Sequence, residues 1–336
     1  MLSELSQLLI FTTKAFIIVA LLLILLAGII SLLARGKEKL HGKICIKNLN
    51  KKYQETRDAI LEEILPKNQF KKMHKEQKKA EKAKKKLAEI NPEKHIFVIH
   101  FNGDIKASAV HSLREEVTAI LGVATPNDEV VVQLESAGGM VHAYGLAASQ
   151  LLRIRQQKIP LTIAVDKIAA SGGYMMACVA NKIIAAPFAI IGSIGVIVQL
   201  PNFHRLLKDK HIDFEQLTAG DFKRTLTLFG HNTEEGRQKM LQEIEEVHQL
   251  FKNLIKDHRP AIDIQKVSTG EHWLGSQALD FKLVDELRTS DDYLLSQSKD
   301  AQIYEVFYIT KKSMAEKISS TVSLFGRRSL EETYIM

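Results

Sequence analysis

The sequence predicts an α/β domain built on a parallel β-sheet, preceded by one transmembrane helix and a basic helical linker. From His95 onwards, almost continuously apolar runs alternate with helical segments, which is the pattern of buried parallel strands joined by helices. Residues 15–34 are twenty residues without a charge, enough to cross a bilayer as a helix. The predicted organisation is an N-terminal segment (1–14), the transmembrane helix (15–34), a lysine-rich juxtamembrane linker (35–94), a globular domain (95–298) and a C-terminal extension (299–336).

The apolar run is predicted to remain as an uncleaved anchor. A cleaved signal peptide has a shorter apolar region and a small-residue cleavage site, whereas this run continues directly into Arg35, Gly36 and Lys37. Basic residues follow the run closely and only Lys14 precedes it. The positive-inside rule would therefore place the globular domain in the cytoplasm.

The positive charge of the chain belongs to its N-terminal part. Residues 1–94 hold 20 Lys+Arg against 10 Asp+Glu, and residues 95–336 hold 26 against 29, so net charges of +10 and −3 make up the +7 of the chain. A nucleic-acid-binding domain carries its positive charge on the folded surface. We therefore predict no nucleic-acid partner for the globular domain.

The linker is predicted to be helical and solvated. Nine of the sixteen residues from Lys71 to Lys86 are lysine, and Lys, Glu and Ala without Gly or Pro favour a helix. No apolar stripe accompanies them, which is typical of a frayed, solvated spacer. A polybasic run beside a membrane also attracts anionic lipid headgroups, so a spacer and a lipid-contacting collar both remain open.

Four strands and four helices are predicted for the globular domain, one of the helices directly after Ser171. The strands are HIFVIHF (95–101), EVVVQLE (129–135), LTIAV (161–165) and KIIAA (182–186). Ser108 is expected to cap a helix with its apolar face at Val110, Leu113, Val117, Ile120 and Leu121; a second helix covers 146–155; Thr233 opens a long amphipathic helix. The apolar face of this long helix is expected to be core or subunit interface. After about Ser298 the chain is expected to be irregular.

Two features have simple interpretations. The uncharged run 183–200 has the length of a second membrane span, but Pro187, Gly192 and Gly195 interrupt it, which favours strands. The two cysteines, Cys45 and Cys178, are too few for a disulfide framework. We expect Cys178 to behave as a small buried hydrophobe.

Ser171 stands where a predicted strand ends and a helix-compatible apolar segment begins, and Gly172 and Gly173 follow it. Unpaired N–H groups and the positive end of the dipole at a helix N-terminus favour a developing negative charge, so this is a suitable position for a nucleophile. Serine is also a preferred N-cap residue. These residues alone leave both roles open.

Two further glycine clusters follow predicted strands, Gly138–Gly139 after the second and Gly192-Ser193 with Gly195 after the fourth. Parallel sheets present their ligands at the carboxyl ends of strands. A glycine pair there can direct backbone N–H groups at one point, as an oxyanion hole requires. A tight turn is the alternative interpretation.

A serine nucleophile needs a base, and no histidine of the globular domain before residue 270 lies in a recognisable motif. Lys223 is the other candidate, because its neighbours Phe222, Leu226, Leu228 and Phe229 are apolar and apolar surroundings disfavour a charged amine. An ordinary surface lysine is the alternative.

Several motifs together resemble the S49 peptidases, the signal peptide peptidase A family. They are ESAGGMV (135–141), ASGGYMMA (170–177), GSIGV (192–196), KRTLT (223–227) and GEHWLGSQAL (270–279) followed by LVDE (283–286). Lys223 comes 52 residues after Ser171. With the anchor and the basic linker, the match covers nearly the whole chain and is similar to the singly anchored inner-membrane branch of the family.

The resemblance implies a ClpP/crotonase-like fold of repeated β-β-α units in a superhelix, and a serine endopeptidase with a Ser-Lys dyad. Ser171 matches the nucleophile, Lys223 the general base, Ser193 a serine that orients the lysine, and the N–H groups of Gly139 and Gly172 the oxyanion hole. The resemblance implies no metal or cofactor. The implied partners are peptide or protein substrates, such as signal-peptide remnants or misfolded membrane-associated chains, membrane lipid, and further copies in a ring-like homo-oligomer.

The resemblance also favours the periplasmic face of a bacterial inner membrane, against the cytoplasmic face that the lysines after the anchor indicate. One residue departs from the family: Ala137 stands where members usually have proline. Proline fixes φ, so we expect a looser loop and reduced rather than absent activity. A catalytically inactive membrane scaffold and a crotonase-type acyl-CoA enzyme are the alternative functions, and the Ser171, Ser193 and Lys223 set argues against both.

Overall fold

The computed structural model describes residues 12–14, 16–25, 42–88 and 94–310. Residues Ile44–Tyr308 make one compact unit, which extends on both sides beyond the 95–298 predicted for the globular domain. Residues 12–14 and 16–25 are helical. Within the described ranges no helix is long and apolar enough to span a membrane. Residues 15 and 26–34 of the predicted transmembrane helix, and the C-terminal extension after residue 310, lie outside the described residues.

The elements of the compact unit alternate as expected for an α/β fold. In chain order they are β1 (Lys43–Asn48), α1 (Leu49–Ile64), α2 (Lys67–Ala88), β2 (Lys94–Gly103), α3 (Val110–Leu121), β3 (Glu129–Ser136), α4 (Val141–Gln156), β4 (Leu161–Val165), β5 (Ile168–Ala170), α5 (Gly172–Ala177), β6 (Lys182–Ala185), β7 (Ile190–Gly192), α6 (His204–Asp209), α7 (Glu234–His258), α8 (Ile264–Val267), β8 (His272–Leu274), α9 (Gly275–Asp280), β9 (Glu286–Leu287), α10 (Ser290–Gln297) and β10 (Ala301–Ile309).

The strands form one mixed sheet with the order β1-β10-β2-β3-β4-β6-β9. Pairing is parallel from β10 through β9. Off this path, β5 pairs with β3 and β7 in parallel, and β7 pairs with β8 antiparallel. The α/β class and the four predicted strands are confirmed, because β2, β3, β4 and β6 cover them.

The sheet is buried on both faces, which explains why its strands are apolar without alternation. All five residues of β4 are buried. One face packs against α3 and α4 through residues such as Leu113, Val117, Leu151 and Ile154. On the other face, Val98, Val131 and Ala164 pack with Tyr293 and Leu294 of α10.

The expectation of an irregular chain after about Ser298 is wrong, because β10 lies between β1 and β2 in the sheet. Only Ala301, Ile303 and Val306 of its AQIYEVFYI sequence are buried, so the strand carries a weaker apolar signal than the fully apolar central strands. Asn50 joins this strand to α1: its Nδ2 donates to the carbonyls of Ser298 and Ala301 at 3.0 and 2.9 Å, and its Oδ1 accepts from the Ile303 N–H at 2.7 Å.

Of the predicted helix caps at Thr233 and Ser108, the structure confirms the first and contradicts the second. Thr233 caps α7, and its Oγ1 accepts from the Gly236 N–H at 3.1 Å, as predicted. Ser108 does not cap α3, because its hydroxyl donates to Asp104 at 2.8 Å and Ala109 takes the cap position. In α7 only part of the apolar face is core: Phe251 and Ile255 are buried, while Leu241 and Leu250 are exposed.

The linker and the run 183–200 also show local order. Residues 67–88 are helical, as predicted for the lysine-rich stretch, but the linker additionally contains β1 and α1, whose Leu49 is buried. The alternating KICIKN sequence of β1 suits an edge strand. The run 183–200 contains β6 and β7, separated by the turn at Pro187, which favours the strand interpretation over a second span.

Glu116 is a buried carboxyl on the sheet-facing side of α3. It is 4% exposed, and its Oε1 accepts from the Tyr308 N–H at 2.8 Å. Burial raises the pKa of this carboxyl to about 7, although the hydrogen bond from Tyr308 opposes the rise. The ionised form is therefore disfavoured in the folded protein.

We predict that Glu116→Gln stabilises the protein at high pH. The folded pKa lies above the unfolded value of 4.5, so ionisation of Glu116 costs stability progressively between about pH 4.5 and 7 and fully above that. The amide keeps the acceptor without the charge and should add about 1 to 3 kcal/mol at pH 8, allowing for residual solvation, and little at pH 4.5. Thermal unfolding of the full-length chain across this pH range measures the difference. The exposed neighbour Glu115→Gln is the control, and an equal effect of both variants would contradict the prediction.

Candidate active site

The turns that follow three strands meet at one edge of the sheet. Ser136 at the end of β3 is in register with Ala169 of β5, and Ala170 of β5 is in register with Gly192 of β7. Because parallel strands in register end together, the Gly138–Gly139 turn, Ser171 and Ser193 follow neighbouring strand ends. Proximity of these predicted residues is thus a consequence of strand pairing.

Ser171 adopts a backbone conformation that most residues avoid, with φ 51° and ψ −119°. Such a conformation costs about 1 to 3 kcal/mol and occurs preferentially at functional sites. Two hydrogen bonds hold it: the Ser171 N–H donates to the Gly192 carbonyl at 2.7 Å, and the Ser171 carbonyl accepts from the Met175 N–H at 2.9 Å. Ser171 occupies the N-cap position of α5, but its side chain makes no capping hydrogen bond. The hydroxyl is therefore not committed to the helix.

The Gly138–Gly139 turn lies directly against the nucleophile candidate. Gly138 has φ +90°, and a Cβ there would lie 2.6 Å from the Gly172 nitrogen and 2.8 Å from the Ser171 Cβ. A Cβ on Gly139 would overlap the backbone of Ile105. Glycine is required at both positions because the backbone of three segments converges here.

Some backbone N–H groups at the Gly138–Gly139 turn and at Gly172 are hydrogen-bonded, and others are unpaired. The Gly138 N–H donates to Ser136 Oγ at 3.0 Å, and the Met140 N–H donates to the Ile105 carbonyl at 2.8 Å. For the N–H groups of Gly139 and Gly172, no acceptor is found in the described part of the chain. Two unpaired donors beside a serine hydroxyl are what an oxyanion hole requires.

Ser193 has the same positive φ of 51° as Ser171 and follows Gly192, whose φ is +104°. Its N–H donates to the Glu271 carbonyl at 2.7 Å, so the antiparallel β7–β8 pair holds this turn. Ser193 is half-buried. The structure thus brings Ser193 to the same edge of the sheet as Ser171.

Lys223 is not brought into contact with these residues. It is exposed, its N–H donates to the Gly220 carbonyl at 3.1 Å, and its ammonium group has no hydrogen bond or ion pair to a described residue. Its apolar neighbours do not cover it in the single chain, since Phe222, Leu228 and Phe229 are themselves 48%, 37% and 40% exposed. The segment is nevertheless ordered by Asn202, whose Nδ2 donates to the carbonyls of Thr227 and Gly230.

Cys178, the other nucleophilic side chain near Ser171 in sequence, is unsuited to catalysis. It is fully buried, and burial raises the pKa of its thiol to about 12. A thiol is nucleophilic only as the thiolate. Cys178 behaves as the small buried hydrophobe that the sequence predicts.

Sequence reasoning missed Ser136 and Tyr144. The Ser136 hydroxyl lies 2.5 Å from the Tyr144 hydroxyl, which donates to the Asp104 carbonyl at 2.8 Å. The helical spacing of Tyr144 with Ala147, Ala148 and Leu151 marks a buried face, but no local pattern shows that its hydroxyl reaches the glycine turn.

Comparison with known proteins gives consistent matches. Residues 3–151 match the model of the peptidase family S49 N-terminal region, and residues 153–304 match that of peptidase family S49. A Haemophilus influenzae protein named "Probable protease SohB" is 48% identical over 332 residues, which cover 96% of this chain and 92% of that protein. A Buchnera aphidicola protein of the same name is 54% identical over 245 residues, 73% of this chain and 72% of that one.

Among solved structures, the chain is similar to a mutant of the 1510-N membrane-bound stomatin-specific protease in complex with a substrate peptide. The identity is 14%, the match covers 69% of this chain and 98% of that one, and the TM-score is 0.41.

We predict that Gly138→Ala disables the site more than it destabilises the fold. The positive φ and the Cβ contacts with Gly172 and Ser171 would displace the turn from the nucleophile, so kcat/KM for a peptide substrate should fall by about 100-fold or more, as for loss of an oxyanion donor. Peptidase assays alongside thermal unfolding separate the two effects.

Gly145→Ala is the matched control for this substitution. Gly145 lies in α4, and a Cβ there meets no atom within 4 Å. Alanine should leave activity unchanged and add about 0.5 to 1 kcal/mol of stability. Equal activity of the two variants would show that the turn does not position the site.

Proposed function

Because the chain belongs to peptidase family S49, we propose that it is a membrane-anchored serine endopeptidase that works through a Ser171–Lys223 dyad. The observation that carries this proposal is the arrangement at Ser171: a strained turn leaves its hydroxyl without a capping bond, beside the unpaired N–H groups of Gly139 and Gly172. Strain of this kind has a functional explanation where a nucleophile must be presented on a strand-to-helix turn.

In the proposed acylation step, Ser171 Oγ attacks the carbonyl carbon of the scissile peptide bond while the neutral amine of Lys223 takes the hydroxyl proton. The carbonyl oxygen becomes an oxyanion, which the N–H groups of Gly139 and Gly172 stabilise. The intermediate then collapses, the C–N bond breaks, and the Lys223 ammonium gives its proton to the leaving amine. The product is an acyl ester on Ser171.

Deacylation repeats these roles with water. Lys223 takes a proton from the water that attacks the ester, and the same two N–H groups bind the second oxyanion. Collapse breaks the ester bond and returns the proton to Ser171 Oγ, and the carboxylic acid product leaves. In this scheme Ser193 orients the Lys223 amine.

The position of Lys223 sets a condition on the proposal. A general base must be neutral and within reach of Ser171, whereas Lys223 is exposed in the single chain. Large apolar side chains around it are also exposed, among them Ile197, Phe203, Leu206, Ile212, Phe214 and Leu217. Monomeric proteins seldom expose such patches, so we propose that a homo-oligomer covers this surface and brings the lysine into an apolar setting.

We further propose that the domain has the ClpP/crotonase-like superhelical arrangement that the family resemblance implies, with residues 95–298 as its main part. The branch of β5, β7 and β8 from the main sheet supports a layered architecture of this type. Residues 15–34 are proposed as the membrane anchor and 35–94 as a juxtamembrane linker whose lysines contact lipid. Suitable substrates are extended apolar peptides, such as signal-peptide remnants or misfolded membrane-associated chains.

We expect a serine-directed acylating probe to label the wild-type protein and not Ser171→Ala. Lys223→Ala should retain the fold and lose at least about 1000-fold in turnover at every pH from 6 to 10, because it removes the proposed general base. Gel-based labelling and a peptide hydrolysis assay make these measurements.

Lys282→Ala is a control for removing a lysine, since Lys282 is an exposed residue in the turn after α9 and should be neutral in the assay. Equal labelling of wild type and Ser171→Ala would refute the endopeptidase. It would then favour the alternative of an inactive membrane scaffold, which the exposed position of Lys223 permits.

The side of the membrane is tested by a reporter fused to the C-terminus. We propose the periplasmic face of the bacterial inner membrane, on the family resemblance, so alkaline phosphatase, which is active only outside the cytoplasm, should be active in the fusion. An active cytoplasmic reporter at the same position would instead support the orientation indicated by the lysines after the anchor.

A further inference from the structure

We propose that Ser136 and Tyr144 are positioning residues that lock the two oxyanion donors, Gly139 and Gly172, into one rigid unit. The inference rests on the proposed function for its meaning in catalysis. The structural evidence is a series of linked hydrogen bonds beneath the Gly138–Gly139 turn, which we call the hydroxyl chain. Neither residue touches the reacting atoms.

The direction of the hydrogen bonds in this chain follows from the donors present. The Gly138 N–H can only donate, and it lies 3.0 Å from Ser136 Oγ. The Tyr144 hydroxyl donates to the Asp104 carbonyl at 2.8 Å. With that proton engaged, the Ser136 hydroxyl donates across the 2.5 Å contact to Tyr144, and its other acceptor, the Gly103 carbonyl, lies farther away at 3.5 Å. Each hydroxyl accepts once and donates once, and chains of this kind strengthen cooperatively.

The two hydroxyls are isolated from solvent. Tyr144 is fully buried and Ser136 is 2% exposed, so water cannot replace a lost partner. Burial raises the pKa of the Tyr144 hydroxyl, which keeps its proton available for donation. Removing either hydroxyl leaves a buried group unpaired, which is more costly than the net gain from making the bond.

Tyr144 also contacts the second donor. A Cβ on Gly172 would overlap the Tyr144 ring, so the ring packs directly against the backbone of Gly172. Through its hydroxyl, the same side chain reaches Ser136 and hence Gly138. Tyr144 therefore links the two halves of the proposed oxyanion hole, which come from segments 33 residues apart in sequence, 139 and 172.

A second hydrogen bond explains why Gly139, rather than Gly138, is left as the donor. Ser136 Oγ takes the Gly138 N–H, and the Ile105 carbonyl takes the Met140 N–H. The N–H groups on both sides of Gly139 are thus hydrogen-bonded, and these bonds fix the position of the unpaired Gly139 N–H. Ala137 precedes these glycines, and alanine does not fix its own φ as a proline at this position would. The hydroxyl chain therefore supplies rigidity to the turn that a proline would otherwise provide.

The test compares Tyr144→Phe and Ser136→Ala with Tyr293→Phe in the full-length protein. Tyr293 of α10 is a matched control, because it is also buried and its hydroxyl donates to Glu129 Oε1 at 2.6 Å, on the other face of the sheet from the Tyr144 cluster. Amide hydrogen exchange of residues 136–140 reports on the turn without requiring activity. We expect exchange at Gly138 to accelerate by about 10-fold or more in the two test variants and to stay unchanged in Tyr293→Phe.

The catalytic readout is a split between kcat and KM. Tyr144→Phe should lower kcat by about 10- to 100-fold with KM within about 3-fold, because donors out of position weaken transition-state stabilisation more than substrate binding. Tyr293→Phe should lower thermal stability to a similar extent and leave kcat unchanged. Ala137→Pro should raise kcat more in the Tyr144→Phe background than in wild type, since it restores the same rigidity.

Unchanged exchange at residues 136–140 in Tyr144→Phe overturns the proposal, as does an equal loss of kcat in Tyr293→Phe. Failure of the proposed function is seen separately. In that case the serine-directed probe does not distinguish wild type from Ser171→Ala, while hydrogen exchange still decides whether the hydroxyl chain holds the turn.

Discussion

The hydrogen bond from the Ser171 N–H to the Gly192 carbonyl, at 2.7 Å, is the interaction on which the rest of the site depends. It closes the β5–β7 pair at its carboxyl end, where Ala170 and Gly192 are in register. An unfavourable backbone conformation persists only when its surroundings over-determine it. The conformation of Ser171 is fixed by strand pairing on one side and by the first turn of α5 on the other. The position of its hydroxyl is therefore set by the sheet, and the sheet by its two buried faces.

The same corner shows how a folded chain reconciles two opposed requirements. Buried backbone donors must be paired for stability, whereas an oxyanion hole needs donors left unpaired. The chain separates the two within adjacent residues. Gly138 gives its N–H to the buried Ser136 hydroxyl, and Gly139, which is exposed, keeps its N–H free. Ser136, the last residue of β3, thus decides which of the two glycine N–H groups remains unpaired.

The surface beyond the sheet edge has a different character. Several apolar side chains between Ile197 and Phe229 are exposed, as are Leu241 and Leu250 of α7, although Phe251 and Ile255 of that helix are core. Clustered exposed apolar side chains are typical of a protein interaction site. Lys223 lies in this surface, so the base of the proposed dyad belongs to the part of the chain that association would complete.

The sequence by itself determined the α/β class, the four central strands and the family, because continuous apolar runs, glycine pairs and motif order are local properties. It also marked Ser171, Ser193 and the two glycines. Tertiary structure alone decided that β10 inserts beside β2, that Ser108 bonds Asp104 rather than the helix, and that Tyr144 reaches Ser136. Each of these depends on contacts that the one-dimensional pattern does not encode. A hydroxyl finds its partner through the packing of whole elements, and burial then makes that partner obligatory.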